Sequence, residues 1–214
     1  KAELGTIYKP GENSETDEEL RKRALAKINQ EAFSGNKAAY KQLVENMDGV
    51  AACKVFPVWN GGGTVKLAVI ASNNTIPTTE FINKLQTEID PIANQGQGIG
   101  LAPIGHTVTV VAPDKLNINI QATLSIDSQY DLDQLKSAIN TQIQNYIKEV
   151  QDDWSNEDTL IIYTSKLIAA ILSVSEVKNV SNLKINDAST DLTIQLSGTN
   201  VKFPILNEVV LSES

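Results

Sequence analysis

Three consecutive glycines, Gly61, Gly62 and Gly63, are the first residues of this chain whose type and spacing could do chemistry. A glycine loop can surround a phosphate with backbone N–H groups when a strand leads in and a Lys-Ser/Thr pair opens a helix behind it. Here the glycines lead into Thr64 and Val65, which favour a strand, and no Gly-Lys-Ser/Thr follows. The run therefore reads as a hairpin turn, in which glycine supplies positive φ. A second group, Gly96-Gln-Gly-Ile-Gly100, fails the dinucleotide-binding pattern because no helix opens after it, and it reads as a mobile loop.

Nucleophilic and metal chemistry have little to work with. Cys53 and His106 are the single residues of their types, so an internal disulfide and a Cys/His zinc site are both ruled out. A Cys–His nucleophile pair would have to be these two, and nothing in the sequence brings them together. Cys53 lies among apolar residues and reads as a buried thiol; His106 reads as a residue at the opening of a strand. Carboxylates cluster at Asp17-Glu-Glu19, Glu149, Asp152-Asp153 and Glu157-Asp158. A glycosidase needs two at a defined separation in a cleft lined for sugar. Aromatic residues make up 5% of this chain and no carboxylate pair sits beside an aromatic cluster, so helix starts and a solvated loop account for the acids.

The remaining candidate is a contact site. Trp59 follows a strand and abuts Asn60, Gly61, Gly62 and Gly63. A large aromatic at a hairpin tip can anchor a partner. It can equally cover its own lobe's core, and the sequence leaves both readings open. Trp154, in an acidic stretch, poses the same question. No catalytic, cofactor-binding or metal-binding residue is assigned.

The elements that must position this turn follow from composition and periodicity. The 214 residues suffice for one large domain or two small ones; 41% are apolar and 21% charged, as in ordinary folded proteins. Net charge is −8 and the isoelectric point about 4.7. This opposes binding to nucleic acid, which rewards a basic face, and docking on an anionic membrane. No apolar run is long enough to span a bilayer, no signal peptide is visible, and the first residue is Lys rather than Met. These features point to a trimmed piece of a longer protein, in the cytosol or assembled there.

Residues 1–14 lack periodicity and read as an arm or linker. Ser14 or Thr16 can cap a helix with Leu20, Ala24, Leu25 and Ile28 on one face and Arg21, Lys22 and Arg23 in solvent. A second helix starts at Gly35-Asn36, carries Tyr40, Leu43, Val44 and Met47 at helical spacing, and stops at Gly49. Strands at 50–58 and 64–70 flank the glycine turn. A third helix follows Thr78, residues 93–103 form a loop, and a strand spans 106–112. From Leu116 to Ile126 apolar and polar residues alternate strictly, the mark of a strand with one buried face. Asp131 opens the longest helix, with Leu132, Leu135, Ile139, Ile143, Tyr146, Ile147 and Val150 inward. A polar loop at 151–157, a strand at 160–163, a helix at 165–172 and strands at 177–185, 192–196 and 209–211 complete the chain. The order of helix then hairpin occurs twice. This predicts an α+β fold of two lobes, 15–113 and 114–214, each with helices on a small mixed or antiparallel sheet with β-hairpins.

One region also carries a family resemblance. Glu15-Thr-Asp-Glu-Glu-Leu-Arg21, Ser34-Gly-Asn-Lys37 with Tyr40, Asp48-Gly-Val50, and Val55-Phe-Pro-Val-Trp-Asn-Gly-Gly-Gly-Thr-Val-Lys66 together resemble the baseplate J-like family of contractile phage tails and prophage particles. Ala102-Pro-Ile-Gly-His-Thr-Val108 is similar to that family's strand opening, and the later elements follow in family order. The chain departs at Ser173-Val-Ser-Glu-Val177, where the family often has Pro-Gly-Val. The resemblance implies a non-enzymatic baseplate wedge protein that touches other baseplate and tail proteins on the hub side and the outer wedge. It implies assembly in the bacterial host cytoplasm and residence in the virion tail baseplate, with no cofactor, small-molecule ligand, nucleic acid or membrane. The alternatives are a tail-associated cell-wall hydrolase and a carbohydrate-binding adhesin.

Overall fold

The computed structural model describes Thr16, Asp17, Arg21 and residues 34–214. Asp17 and Arg21 are helical. The arm at 1–14 and the face of Leu20, Ala24, Leu25 and Ile28 lie outside the described residues. The chain divides into two compact units, Lys1–Ser34 and Gly35–Ser214, and every strand among the described residues belongs to the second.

That unit begins with α1 (Lys37–Glu45), capped by Asn36, whose side-chain oxygen accepts the Ala39 N–H at 2.8 Å. Tyr40 and Val44 face inward, and Gly49, at φ +85°, turns the chain into β1 (Val50–Pro57). β2 (Thr64–Ala71) returns antiparallel, with Cys53 opposite Val69 and Val55 opposite Leu67. The apolar residues of both strands are buried in consecutive runs, as in strands covered on two faces. α2 (Thr79–Ile89), capped by Thr78, then leads to β3 (Thr107–Val111), which lies parallel to β2.

β4 (Asp114–Ile126) buries Ile118, Ile120, Ala122, Leu124 and Ile126 and leaves the intervening polar residues at the surface. α3 (Leu132–Asp152) lays Leu135, Ile139, Ile143, Tyr146, Ile147 and Val150 on the core. β5 (Thr159–Ile162), α4 (Thr164–Leu172), β6 (Val177–Ile185), β7 (Leu192–Gln195) and β8 (Lys202–Glu213) follow. The fold is α+β, with sheets ordered β1-β2-β3, β6-β4-β8 and β5-β7. One hydrophobic cluster joins Phe56, Ala68 and Ile70 to the core residues of β4, α3 and α4.

The second hairpin expected from residues 177–185 and 192–196 does not form. β6 pairs antiparallel with β4, and β7 pairs with β5. Asn186 accounts for this: its side-chain oxygen accepts the Asn119 N–H at 2.8 Å, and its own N–H donates to the Asn119 carbonyl at 2.9 Å. The turn after β6 is thereby fastened to β4. The last strand is also longer than residues 209–211, because β8 runs parallel to β4 from Asp114↔Lys202 to Leu124↔Glu213. Pro204 and a register shift at Ile118/Asn119 interrupt its alternation, and an edge strand tolerates both. Residues 151–157 are not simply a polar loop. α3 continues to Asp152, and Trp154 is fully buried, its Nε1 donating to the Lys202 carbonyl at 2.8 Å and its ring edge-on to Phe203.

Candidate functional site

The hairpin turn is closed by its own backbone and the Thr64 hydroxyl. Val58 N–H donates to the Thr64 carbonyl at 2.7 Å, Asn60 N–H to Thr64 Oγ1 at 3.0 Å, and Thr64 Oγ1 to the Gly61 carbonyl at 2.7 Å. Gly61 and Gly63 have φ of +96° and +77°, as a tight turn requires. Asn60, Gly61, Gly62 and Gly63 are exposed. Val58 is more unusual. It is β-branched, sits at φ +55°, and still presents its side chain to solvent. Backbone strain of this kind persists only where the surroundings impose it.

Trp59 is half-buried and packs on the edge of the core cluster. Lys66 Nζ lies 3.6 Å from its ring centroid and donates to the Gly198 carbonyl at 2.5 Å. Burial holds the Lys66 ammonium below the usual lysine range. Gly198 presses on Trp59 so closely that a Cβ there would stand 2.6 Å from the Trp59 Cβ. The indole thus braces the turn from beneath. Its Nε1 is buried without a hydrogen-bond partner among the described residues.

A neighbouring loop, residues 91–105, meets this turn. Thr107 N–H donates to the Gly63 carbonyl at 2.8 Å, and a Cβ on Gly63 would stand 2.9 Å from the Gly105 carbonyl oxygen. The loop is not the loose segment that its glycines suggest. Buried Asp90 accepts the N–H groups of Gly96 in the loop and Val108 in β3, Leu101 and Ala102 N–H donate to the Glu88 and Ile89 carbonyls of α2, and buried Gln86 ties α2 to β3 beside the loop through Val108 and Val110. The loop displays Ile92, Ile99, Leu101 and Ile104 to solvent, and sequence reasoning missed these residues. The signal was there to find: residues 91–105 contain no charged side chain.

The other candidates are apart. Cys53 is buried in β1; desolvation, with Glu45 adding to it, pushes its thiol well above the usual range, and Lys41 offsets part of this. His106 engages Tyr40 instead, Nδ1 lying 2.9 Å from the hydroxyl with the rings stacked at 5.8 Å. Burial, then the nearby Asp90, pushes the Tyr40 hydroxyl up. Glu149, Asp153 and Glu157 border an open groove of about 300 Å³ with Tyr146, Tyr163 and Lys166. Asp158 pairs with Lys54 at 3.1 Å. Among the described residues no group of three or more His, Cys, Asp or Glu is arranged to hold a metal, and no helix is long and apolar enough to cross a membrane.

Two family models cover most of the chain. The baseplate J-like central domain matches residues 32–112, and the baseplate J-like protein C-terminal domain matches residues 118–212. The chain belongs to the baseplate J-like family. It is 34% identical over 207 residues to the phage-like element PBSX protein XkdT of Bacillus subtilis (strain 168), covering 97% of this chain and 56% of that protein. It is 29% identical over 146 residues to baseplate protein gp47 of Escherichia phage Mu, covering 65% of this chain and 40% of that protein. The chain thus spans about half the length of these relatives. Its fold is similar to a chain in the cryo-EM structure of the anti-feeding prophage baseplate, 6-fold symmetrised, with a TM-score of 0.53 at 12% identity, covering 89% of this chain and 42% of that one. The hairpin turn with Trp59 lies in the part matched by the J-like central domain, and Gly198 in the part matched by the C-terminal domain.

Proposed function

We propose that this protein is a structural component of a contractile phage or prophage tail baseplate, supplying protein–protein contacts to a wedge and no catalysis. The single observation that carries this reading is the succession of both J-like family models along the chain. The partners are other baseplate and tail proteins on the hub side and the outer wedge, met in the bacterial host cytoplasm during assembly. Nucleic acid, membrane and small-molecule ligands play no part, in keeping with the net charge of −8. Within the second unit, the stretches 35–113 and 114–214 are proposed as two lobes of this component. The exposed turn of Asn60, Gly61, Gly62 and Gly63, braced by Trp59, is one contact point.

The lobes are tied to each other through lysines. Lys54 Nζ donates to the Glu157 carbonyl at 2.6 Å, Lys66 reaches Gly198, and Lys41 reaches Ser155 at 3.1 Å. Contraction would then rearrange whole bodies at their interfaces and leave this core intact.

The test is co-expression with the adjacent tail genes and purification of the assembled particle. The chain is expected in the baseplate, and its deletion is expected to stop baseplate assembly. Complete baseplates formed without it would sink the reading. So would peptidoglycan turnover by the purified protein that one carboxylate substitution abolishes.

A further inference from the structure

β5 pairs with β7 alone, so one of its edges is unpaired among the described residues. The direction of that edge follows from hydrogen-bond alternation. Leu196 N–H donates to the Asp158 carbonyl at 2.8 Å, which makes Asp158 and Leu196 a bonded pair of this antiparallel ladder. Bonded and non-bonded pairs alternate along such a ladder. Leu160 and Ile162 therefore aim their N–H and C=O groups at β7, while Thr159, Ile161 and Tyr163 aim theirs away from it. Tyr163 agrees with this: its N–H donates to the Tyr146 hydroxyl of α3 at 2.8 Å. Among the described residues nothing bonds the main-chain N–H and C=O groups of Thr159 and Ile161 from that side.

The free edge opens on the groove of about 300 Å³ beside α3. Thr159, Leu160 and Ile161 all line it, although successive side chains of a strand point to opposite faces. Consecutive residues line a groove together when the strand turns its edge to it. Exposed edges are commonly blunted by charged side chains or proline. Thr159-Leu-Ile-Ile162 has neither, and its residue types favour strands. The charges stand across the groove instead. Glu149, Asp153 and Glu157, all exposed, outnumber Lys166, whose Nζ lies 5.9 Å from the Tyr146 ring centroid and 5.8 Å from that of Tyr163. α3 also ends here, and the C-terminal end of a helix carries partial negative charge.

We propose that an extended segment of a different protein, with Lys or Arg at alternate positions, docks in this groove as a third strand on the free edge of β5. Its main chain bonds the N–H and C=O groups of Thr159 and Ile161, and its basic side chains meet Glu149, Asp153 and Glu157. In such strand addition the main-chain bonds supply affinity and alternate side chains supply choice. Charge selects a different protein over a second copy, because a second copy brings a net charge of −8 to a groove that is already acidic. The baseplate reading says only where this partner is to be sought; the chemistry of the groove does not depend on it.

The test uses the full chain, expressed in cells that carry the adjacent tail genes. A photo-crosslinking phenylalanine analogue in place of Tyr163, which borders the groove, is expected to form an adduct with a different polypeptide, at a segment with Lys or Arg at alternate positions. Glu149→Lys/Asp153→Lys alters two exposed residues near a helix end that favours cations, so its unfolding temperature is expected to hold. It is expected to cut the adduct by about tenfold or more, since like charges brought together at an interface oppose binding. Thr159→Pro removes an N–H that β7 does not use, at the first residue of a strand, where proline is tolerated. The same loss of adduct is expected from it at an unchanged unfolding temperature. No adduct with the wild-type groove, an adduct to a second copy or to a segment without basic residues, or an undiminished adduct in either variant would overturn the proposal. An adduct with a basic strand of a protein absent from purified baseplates would uphold the docked strand and remove the baseplate reading instead.

Discussion

The Lys66 ammonium stands 3.6 Å over the Trp59 ring while its Nζ donates to the Gly198 carbonyl at 2.5 Å. One side chain therefore joins a hairpin of the first sheet to the turn that precedes β8. The indole is held between a cation above and Gly198 alongside, so the conformation of the turn and the packing of the two halves are one problem.

Trp59→Ala is accordingly expected to destabilise the protein by about 2 kcal/mol, less than the 3–5 kcal/mol of a fully buried Trp because the ring is half-buried. Lys66→Ala should cost less, about 1 kcal/mol. A double-mutant cycle in urea should give a coupling of about 0.5–1 kcal/mol for the cation–ring contact. Wild-type stability in Trp59→Ala would show that the ring serves only as an external contact.

Lys54 tests a different kind of tie. Its side chain is 1% exposed, and its Nζ reaches the Glu157 carbonyl and the Asp158 carboxylate, the latter 76% exposed. Desolvation lowers the lysine's pKa, and the hydrogen bond and charge of Asp158 work against that shift. Lys54→Met keeps the apolar stem but takes the donor away from the Trp154 and Glu157 carbonyls, so a loss of about 2 kcal/mol is expected. Asp158→Asn should cost under about 1 kcal/mol, because the carboxylate stands largely in solvent, where its attraction for the ammonium is screened. Equal losses for the two variants in thermal unfolding would show that the ion pair, rather than the carbonyl bonds, is what matters.

Much of this fold was legible locally. The alternation in β4 marks a strand and names its buried face, and the glycines after Trp59 mark the β1–β2 hairpin. The neighbours of a strand are another matter. Period-two patterning says which residues face the core but not which edge a strand will join, so the partners of β6, β7 and β8 were not legible. Trp154 was hidden for a related reason. Its flanking residues are polar, and its burial comes from Lys202 and Phe203, about 50 residues further along. At the candidate site the turn could be read from glycine chemistry, whereas the exposed isoleucines of residues 91–105 gain fixed positions only from Asp90 and the end of α2, which bond Gly96, Leu101 and Ala102.

Cys53 makes a pH-dependent prediction. Burial raises its thiol pKa in the folded state, so the folded chain keeps a proton that the unfolded chain releases. This contribution to stability is complete below the ordinary thiol range and is lost as pH rises through it, from about pH 8.5 upward, by at most about 1.4 kcal/mol per pH unit. Tyr40 acts with the same sign from about pH 10. Cys53→Ala should therefore show a shallower fall in unfolding free energy between about pH 8.5 and 10 than the wild type. Parallel profiles would mean that the thiol ionises as readily in the folded chain. At neutral pH the wild-type thiol should react with a disulfide reagent no faster than the protein opens.

Val58 should reveal its strain. A β-branched residue at φ +55° costs about 1–2 kcal/mol of backbone energy, while glycine accepts that conformation freely. The side chain is exposed, so its removal sacrifices little packing. Val58→Gly is expected to leave stability unchanged or raise it by up to about 1 kcal/mol, since the relief of strain is partly offset by the greater freedom of glycine in the unfolded chain. A marked loss in urea unfolding would show that the Val58 side chain supports the hairpin.

Asp90 decides whether the loop at 91–105 is held or merely close. Its carboxylate accepts two backbone N–H groups in a buried setting, one inside the loop at Gly96 and one in β3 at Val108. Asp90→Ala removes both acceptors and leaves buried donors unbonded, at about 1–3 kcal/mol each before relaxation. The Gly96 N–H can turn to water because the loop is at the surface, whereas the Val108 N–H cannot, so most of the cost falls on the β3 side. A net loss of about 2–3 kcal/mol is expected, together with faster amide exchange across 91–108 and little change in β4 and α3. Uniformly faster exchange through the whole unit would show that Asp90 supports global stability alone. Unchanged exchange in the loop would show that the bonds from Leu101 and Ala102 N–H to the Glu88 and Ile89 carbonyls suffice to hold it.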